Sequence, residues 1–93
     1  MELVSIVILT MGDRPEELSS AIHSIRKQKG VLTEVILVIN GGTAEHGLED
    51  VLVEPKVNLG IPGGRNAGLL KANAEYILFL DDDAKLADEN ILR

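Results

Sequence analysis

Cysteine is absent from this 93-residue sequence, which excludes disulfides, thiolate zinc centres and thiol catalysis. Tryptophan is absent too, and Tyr76 and Phe79 are the only aromatic residues. A core must therefore be built from Ile, Leu, Val and Ala. Basic residues are scarce: 9 Lys and Arg stand against 15 Asp and Glu, for a formal charge of −6. That balance argues against nonspecific nucleic-acid binding, and no Lys/Arg run suggests attachment to anionic lipid. No apolar stretch approaches the roughly 20 residues of a membrane span. The opening Met1-Glu2-Leu3 lacks the basic region and apolar core of a signal peptide, so a cytoplasmic location is expected. What is present is an ordinary globular composition, 45% hydrophobic, of a length suited to one domain over residues 1–93.

The apolar residues fall in short continuous runs. Val4–Leu9, interrupted only by Ser5, predicts a parallel strand buried on both faces. Asp13-Arg14-Pro15-Glu16 then predicts a helix start, with Asp13 as N-cap, Pro15 in the first turn and Glu16 at capping-box spacing. Leu18, Ala21, Ile22 and Ile25 make one apolar stripe along that helix, and Gly30 suits its stop. Val35–Ile39 predicts a second strand ending at Asn40, and Val51–Val53 a short third. Residues 55–62 read as a connecting loop, and Gly63–Ala74 as a helix with Ala67, Leu70 and Ala74 on one side. Tyr76–Leu80 predicts a buried fourth strand, and Asp88 the cap of a further helix beginning at Glu89–Leu92. This order implies a three-layer α/β/α fold with a mostly parallel, Rossmann-like sheet.

The fourth strand runs directly into Asp81-Asp82-Asp83. Ligands of open parallel sheets bind at that end of the strands. If the extended path continues, Asp81 and Asp83 share a face about 7 Å apart, with Asp82 opposite. Two charges at that distance repel by roughly 2 kcal/mol at an effective dielectric near 20. A hard cation such as Mg²⁺ or Mn²⁺ relieves this repulsion, commonly in company with substrate phosphates. The competing reading is a solvated acidic strand end. Asn58-Leu59-Gly60-Ile61-Pro62-Gly63-Gly64-Arg65-Asn66-Ala67-Gly68 is the second informative segment. Glycines admit close backbone approach, a helix start offers free N–H groups, and Arg65 offers a planar phosphate donor. The same segment also reads as a turn and a helix whose Gly64 and Gly68 permit close packing. His23 and His46 stand in no pattern that suggests a triad or a metal site.

Taken together, these pieces resemble the N-terminal, nucleotide-sugar-binding half of the family 2 inverting glycosyltransferases of GT-A fold. The resemblance rests on Val4-Ser5-Ile6-Val7-Ile8-Leu9-Thr10, the polar end of strand two, the Asn58-x-Gly60 and Gly64-Arg65-Asn66-Ala67-Gly68 segments, and Ile77–Asp83 as the D-x-D strand. It implies binding of a nucleoside diphosphate sugar with Mg²⁺ or Mn²⁺. Thr10 and Asn40 would lie near the base, Arg65 near the base or diphosphate, and Asp81 near the ribose. Gly64 and Asn66 would join the nucleotide-sugar-binding set. Asp83 would be the principal metal ligand, with Asp81 beside it and Asp82 in support. Many family members carry Asp where this chain has Asn40, which bears on base preference. The resemblance also implies a longer catalytic domain whose later half supplies the acceptor site and the general base. The expectation is therefore a fragment that binds donor without transferring sugar, and that self-associates to cover an exposed sheet edge. The alternatives are a noncatalytic nucleotide- or metal-binding module and a phosphoacceptor signalling domain. The second normally requires another strand-end Asp and a later Lys.

Overall fold

A computed structural model describes residues 2–44, 46–84 and 86. The elements run β1 (Leu3–Thr10), α1 (Pro15–Arg26), β2 (Leu32–Ile39), β3 (Val51–Val53), α2 (Gly60–Leu69) and β4 (Tyr76–Asp81). The four strands form one parallel sheet in the order β3-β2-β1-β4. Successive connections therefore leave β1 first toward β2 and later return to its other side. The reversal lies between β1 and β4, where open α/β sheets form a crevice at the strand C-termini.

Alternation along the strands divides the core between the two faces. Ile6, Ile8, Val35, Leu37 and Ile39 meet Leu18, Ile22 and Ile25 of α1. Val7, Ile36 and Val38 point to the opposite face, where α2 lies. Its approach is close: a Cβ on Gly68 would overlap Val7 Cγ1, and one on Gly64 would stand 2.7 Å from Leu9 Cδ2. The three-layer arrangement and the α1 stripe are as the sequence predicts.

Several local expectations are corrected. α1 takes Arg14 as its N-cap, without a side-chain capping bond, in place of Asp13. Proline disfavours helical geometry in the residue before it, so Arg14 becomes the boundary and Pro15 the first helical residue. α2 starts three residues earlier and ends five earlier than the 63–74 reading. Its start is held by Asn58 Oδ1, which accepts from Gly60 N at 2.7 Å. Its end is drawn away because Asn73 N donates to Glu34 Oε1 and Ala74 N to Ser5 Oγ. The inward face is Gly64 and Gly68, while Leu70 is 85% exposed. β4 is a half-exposed edge strand rather than a buried one. The helix expected over 89–92, with its cap at Asp88, lies outside the described residues. No helix among the described residues is long and apolar enough to cross a membrane.

Candidate functional site

β1 and β4 are in register with Leu9 opposite Asp81, so Thr10 and the acidic triplet leave the sheet side by side. β4 ends at Asp81, and Ala84 N donates to Asp81 O at 3.1 Å. The extended path does not continue: the chain turns, and Asp82 and Asp83 converge instead of facing opposite ways. Thr10 Oγ1 donates to Asp82 Oδ2 at 2.8 Å and accepts from Gly12 N at 3.1 Å. One buried hydroxyl thus ties the β1–α1 loop to the acidic turn. Arg14 Nη1 donates to Asp83 Oδ2 and stands 3.9 Å from Asp82 Oδ1.

On the other side of β1, Asn40 organises the entry to α2. Its Nδ2 donates to Gly60 O at 3.0 Å and its Oδ1 accepts from Leu59 N at 2.9 Å. One helical turn later Arg65 lies over the Phe79 ring, 5.4 Å from its centroid, a cation–π contact. Phe79 reaches Arg65 because β4 alternation sends Leu78 and Leu80 to the α1 face.

These groups surround one cleft of about 500 Å³, within the usual range for small-molecule sites. Thr10, Asn40, Arg65, Asp81, Asp82 and Asp83 all line it. Gly64 and Asn66 do not: Gly64 is buried on the inward face of α2 against Leu9 and Asn40, and Asn66 is exposed on the helix. A helix turns by about 100° per residue, so Arg65 and its neighbours point in different directions. Arg14, Met11, Asn58, Ile61 and Phe79 also line the cleft. Arg14 and Phe79 carry no signal as site residues in the sequence, since nothing local pairs Arg14 with positions 82 and 83 or Phe79 with Arg65.

The lining carries four carboxylates, Asp13 and Asp81 to Asp83, against the guanidiniums of Arg14 and Arg65. That formal excess of two negative charges suits a divalent cation, and the all-oxygen donor set suits a hard one. Among the described residues no three His, Cys, Asp or Glu groups form a complete metal cage. The fit is to an ion held by one or two carboxylates, with its other positions left to ligand oxygens and water. His23 is exposed and approached by Ser19 at 3.4 Å, and His46 pairs with Glu49 at 3.6 Å. Neither faces the cleft.

Two carboxylates with lowered pKa stand elsewhere and are structural. Burial raises Glu34, but the Asn73 side chain and N–H and the Ser5 hydroxyl outweigh it. Burial likewise raises Asp50, and hydrogen bonds from Arg26 and Val35 N, with the Arg26 charge, bring it down.

A sequence model described as Glycosyl transferase family 2 matches residues 5–93. A comparison with curated proteins returns no match. Among solved structures, S. aureus TarS superposes with a TM-score of 0.80 at 23% identity, covering 99% of this chain and 18% of that one. S. aureus TarS 1-349 gives 0.75 at 25% identity, over 91% of this chain and 28% of that one. The same TarS 1-349 in complex with UDP gives 0.78 at 23% identity, over 99% and 30%. The chain thus spans less than a third of each of these.

Proposed function

The chain belongs to glycosyl transferase family 2, and on that premise we propose that it forms the donor-binding half of a metal-dependent, inverting sugar transfer from a nucleoside diphosphate sugar to an acceptor hydroxyl. The observation that carries this reading is convergence. Thr10, Asn40, Arg65 and the acidic triplet come from four separate stretches of chain and line one cleft at the sheet's reversal point. Further support comes from the UDP complex of TarS, which shares the fold.

In this reading the diphosphate lies between Arg65 and the acidic turn, and the nucleoside lies over the β1 and β2 ends. Arg65, held against Phe79, orients its planar donors toward diphosphate oxygens. Asp83 and Asp81 would hold Mg²⁺ or Mn²⁺, which would supply charge neutralisation to the departing diphosphate. Thr10 keeps Asp82 in place from below, and Asn40 keeps the α2 start in place. No cleft residue is assigned as general base; that role belongs to a further carboxylate acting on the acceptor.

The test is calorimetric titration of UDP, GDP and dTDP into the chain, with and without Mn²⁺. One nucleotide is expected to bind in a metal-dependent way, and Asp83→Ala is expected to weaken that binding at least about tenfold, since loss of even an outer-shell partner of a metal ligand costs that much. A folded protein that binds none of the three, with or without metal, would sink the proposal.

A further inference from the structure

Arg14 spends its guanidinium on two carboxylates of the cleft, and a role for it in binding rests on the donor-site reading. Its guanidinium bridges Asp83, 69 positions away, and approaches Asp82. The Arg14 and Asp83 side chains are 46% and 47% exposed, whereas Asp82 is 13% exposed and held by Thr10. Exposed ion pairs of this kind contribute little stability, so their partners exchange readily. Among the described residues its guanidinium meets only these two acids. As the residue before Pro15 it is the non-helical boundary of α1, which carries its side chain toward the acidic turn and the cleft.

We propose that Arg14 is an internal counter-ion that exchanges partners when donor and cation enter together. In the free protein it pairs with Asp83 and offsets part of the charge of Asp82. On binding, Arg14 passes to diphosphate oxygens, and Asp83, the carboxylate it leaves, becomes available to the cation beside Asp81. A guanidinium fork matches either partner, carboxylate or phosphate, equally well. A cation arriving alone must displace Arg14 without giving it a new partner. A diphosphate arriving alone meets the lining's negative excess. Only when the two arrive together do both Arg14 and the carboxylate it leaves gain a partner, so Arg14 adds to the coupling between them, and by linkage each ligand raises the other's affinity by the same factor.

The experiment measures Mn²⁺ binding from the electron paramagnetic resonance signal of the free ion, and UDP binding by calorimetry, each alone and with the other. Wild type is compared with Arg14→Gln and Arg14→Lys after circular dichroism shows each folded. Arg14→Gln is expected to bind Mn²⁺ alone about threefold more tightly, since it removes an exposed competitor. It is also expected to bind UDP alone more weakly and to lower the coupling factor about tenfold. Arg14→Lys keeps the charge and is expected to keep wild-type affinity for Mn²⁺ alone and part of the coupling. Arg14→Met carries the same test should the Gln variant not fold. Unchanged Mn²⁺ affinity and unchanged coupling in Arg14→Gln would overturn the role of Arg14 and leave the donor site standing. A folded wild type that binds neither Mn²⁺ nor UDP would overturn both.

Discussion

At the end of β2 an amide stands where the family resemblance leads one to expect a carboxylate, and its surroundings explain the choice. Asn40 is 5% exposed and needs both ends of its amide: a donor for Gly60 O and an acceptor for Leu59 N. A carboxylate serves Leu59 N but sets its second oxygen against the Gly60 carbonyl. The hydrogen bond is lost and two acceptors are left facing each other. Asn40→Asp is therefore expected to destabilise the fold by about 1–3 kcal/mol, the usual cost of leaving a buried polar group unsatisfied. Urea unfolding measures it, and a variant as stable as wild type would mean that the loop simply re-forms around the carboxylate. The amide at this position is thus tied to how the loop is held.

α2 shows why the glycines of its segment matter for packing whatever they do for phosphate. Gly64 and Gly68 are one turn apart, and both lie against the sheet. Replacing Gly68 by Ala sets two effects against each other. Helix propensity gains about 0.5–1 kcal/mol, while overpacking a tight core costs about 1–3 kcal/mol. A Cβ that overlaps Val7 Cγ1 and stands 3.1 Å from Val38 Cγ2 meets two buried branched side chains, so the cost wins. Gly68→Ala is expected to lower stability by about 1 kcal/mol in thermal or urea unfolding, the difference between those two effects. A stabilised variant would show that α2 is free to lift. Because α2 carries Arg65 into the cleft, any lift also moves the Arg65–Phe79 contact. The reading of Ala67, Leu70 and Ala74 as the inward side failed for the same reason. Hydrophobic periodicity finds the stripe that is apolar, but a helix this close to its sheet turns inward the stripe that has no side chains.

For the molecule as a whole, β4 is the consequential element. It carries the acidic turn at its end, yet among the described residues it has a neighbour only on its β1 side. Tyr76 is 56% exposed, and Leu69, Leu70 and Phe79 are exposed apolar groups on or near the same strand and α2. Unpaired strand edges with apolar surroundings recruit further strands or apolar surface. The 93-residue chain is therefore expected to self-associate, with a second copy covering β4. Size-exclusion chromatography with light scattering checks this, and a strictly monomeric species at high concentration would count against it.

The sequence by itself determined the class of fold and most of the cast. Continuous Val/Ile/Leu runs marked parallel strands, because a strand buried on both faces cannot alternate with polar residues. Arg65 and the Asp triplet stood out as polar groups at a helix start and a strand end, while Thr10 and Asn40 entered through the family resemblance. Tertiary structure alone decided which of them meet and how they are used. The turn after Asp81, which brings Asp82 to Thr10 and both acids to Arg14, depends on contacts between residues far apart along the chain. So does the burial of Gly64 between α2 and the sheet and the placement of Phe79 beneath Arg65. Local pattern records what a residue is and which way its backbone runs, but a partner brought in from a distant strand leaves no periodic trace.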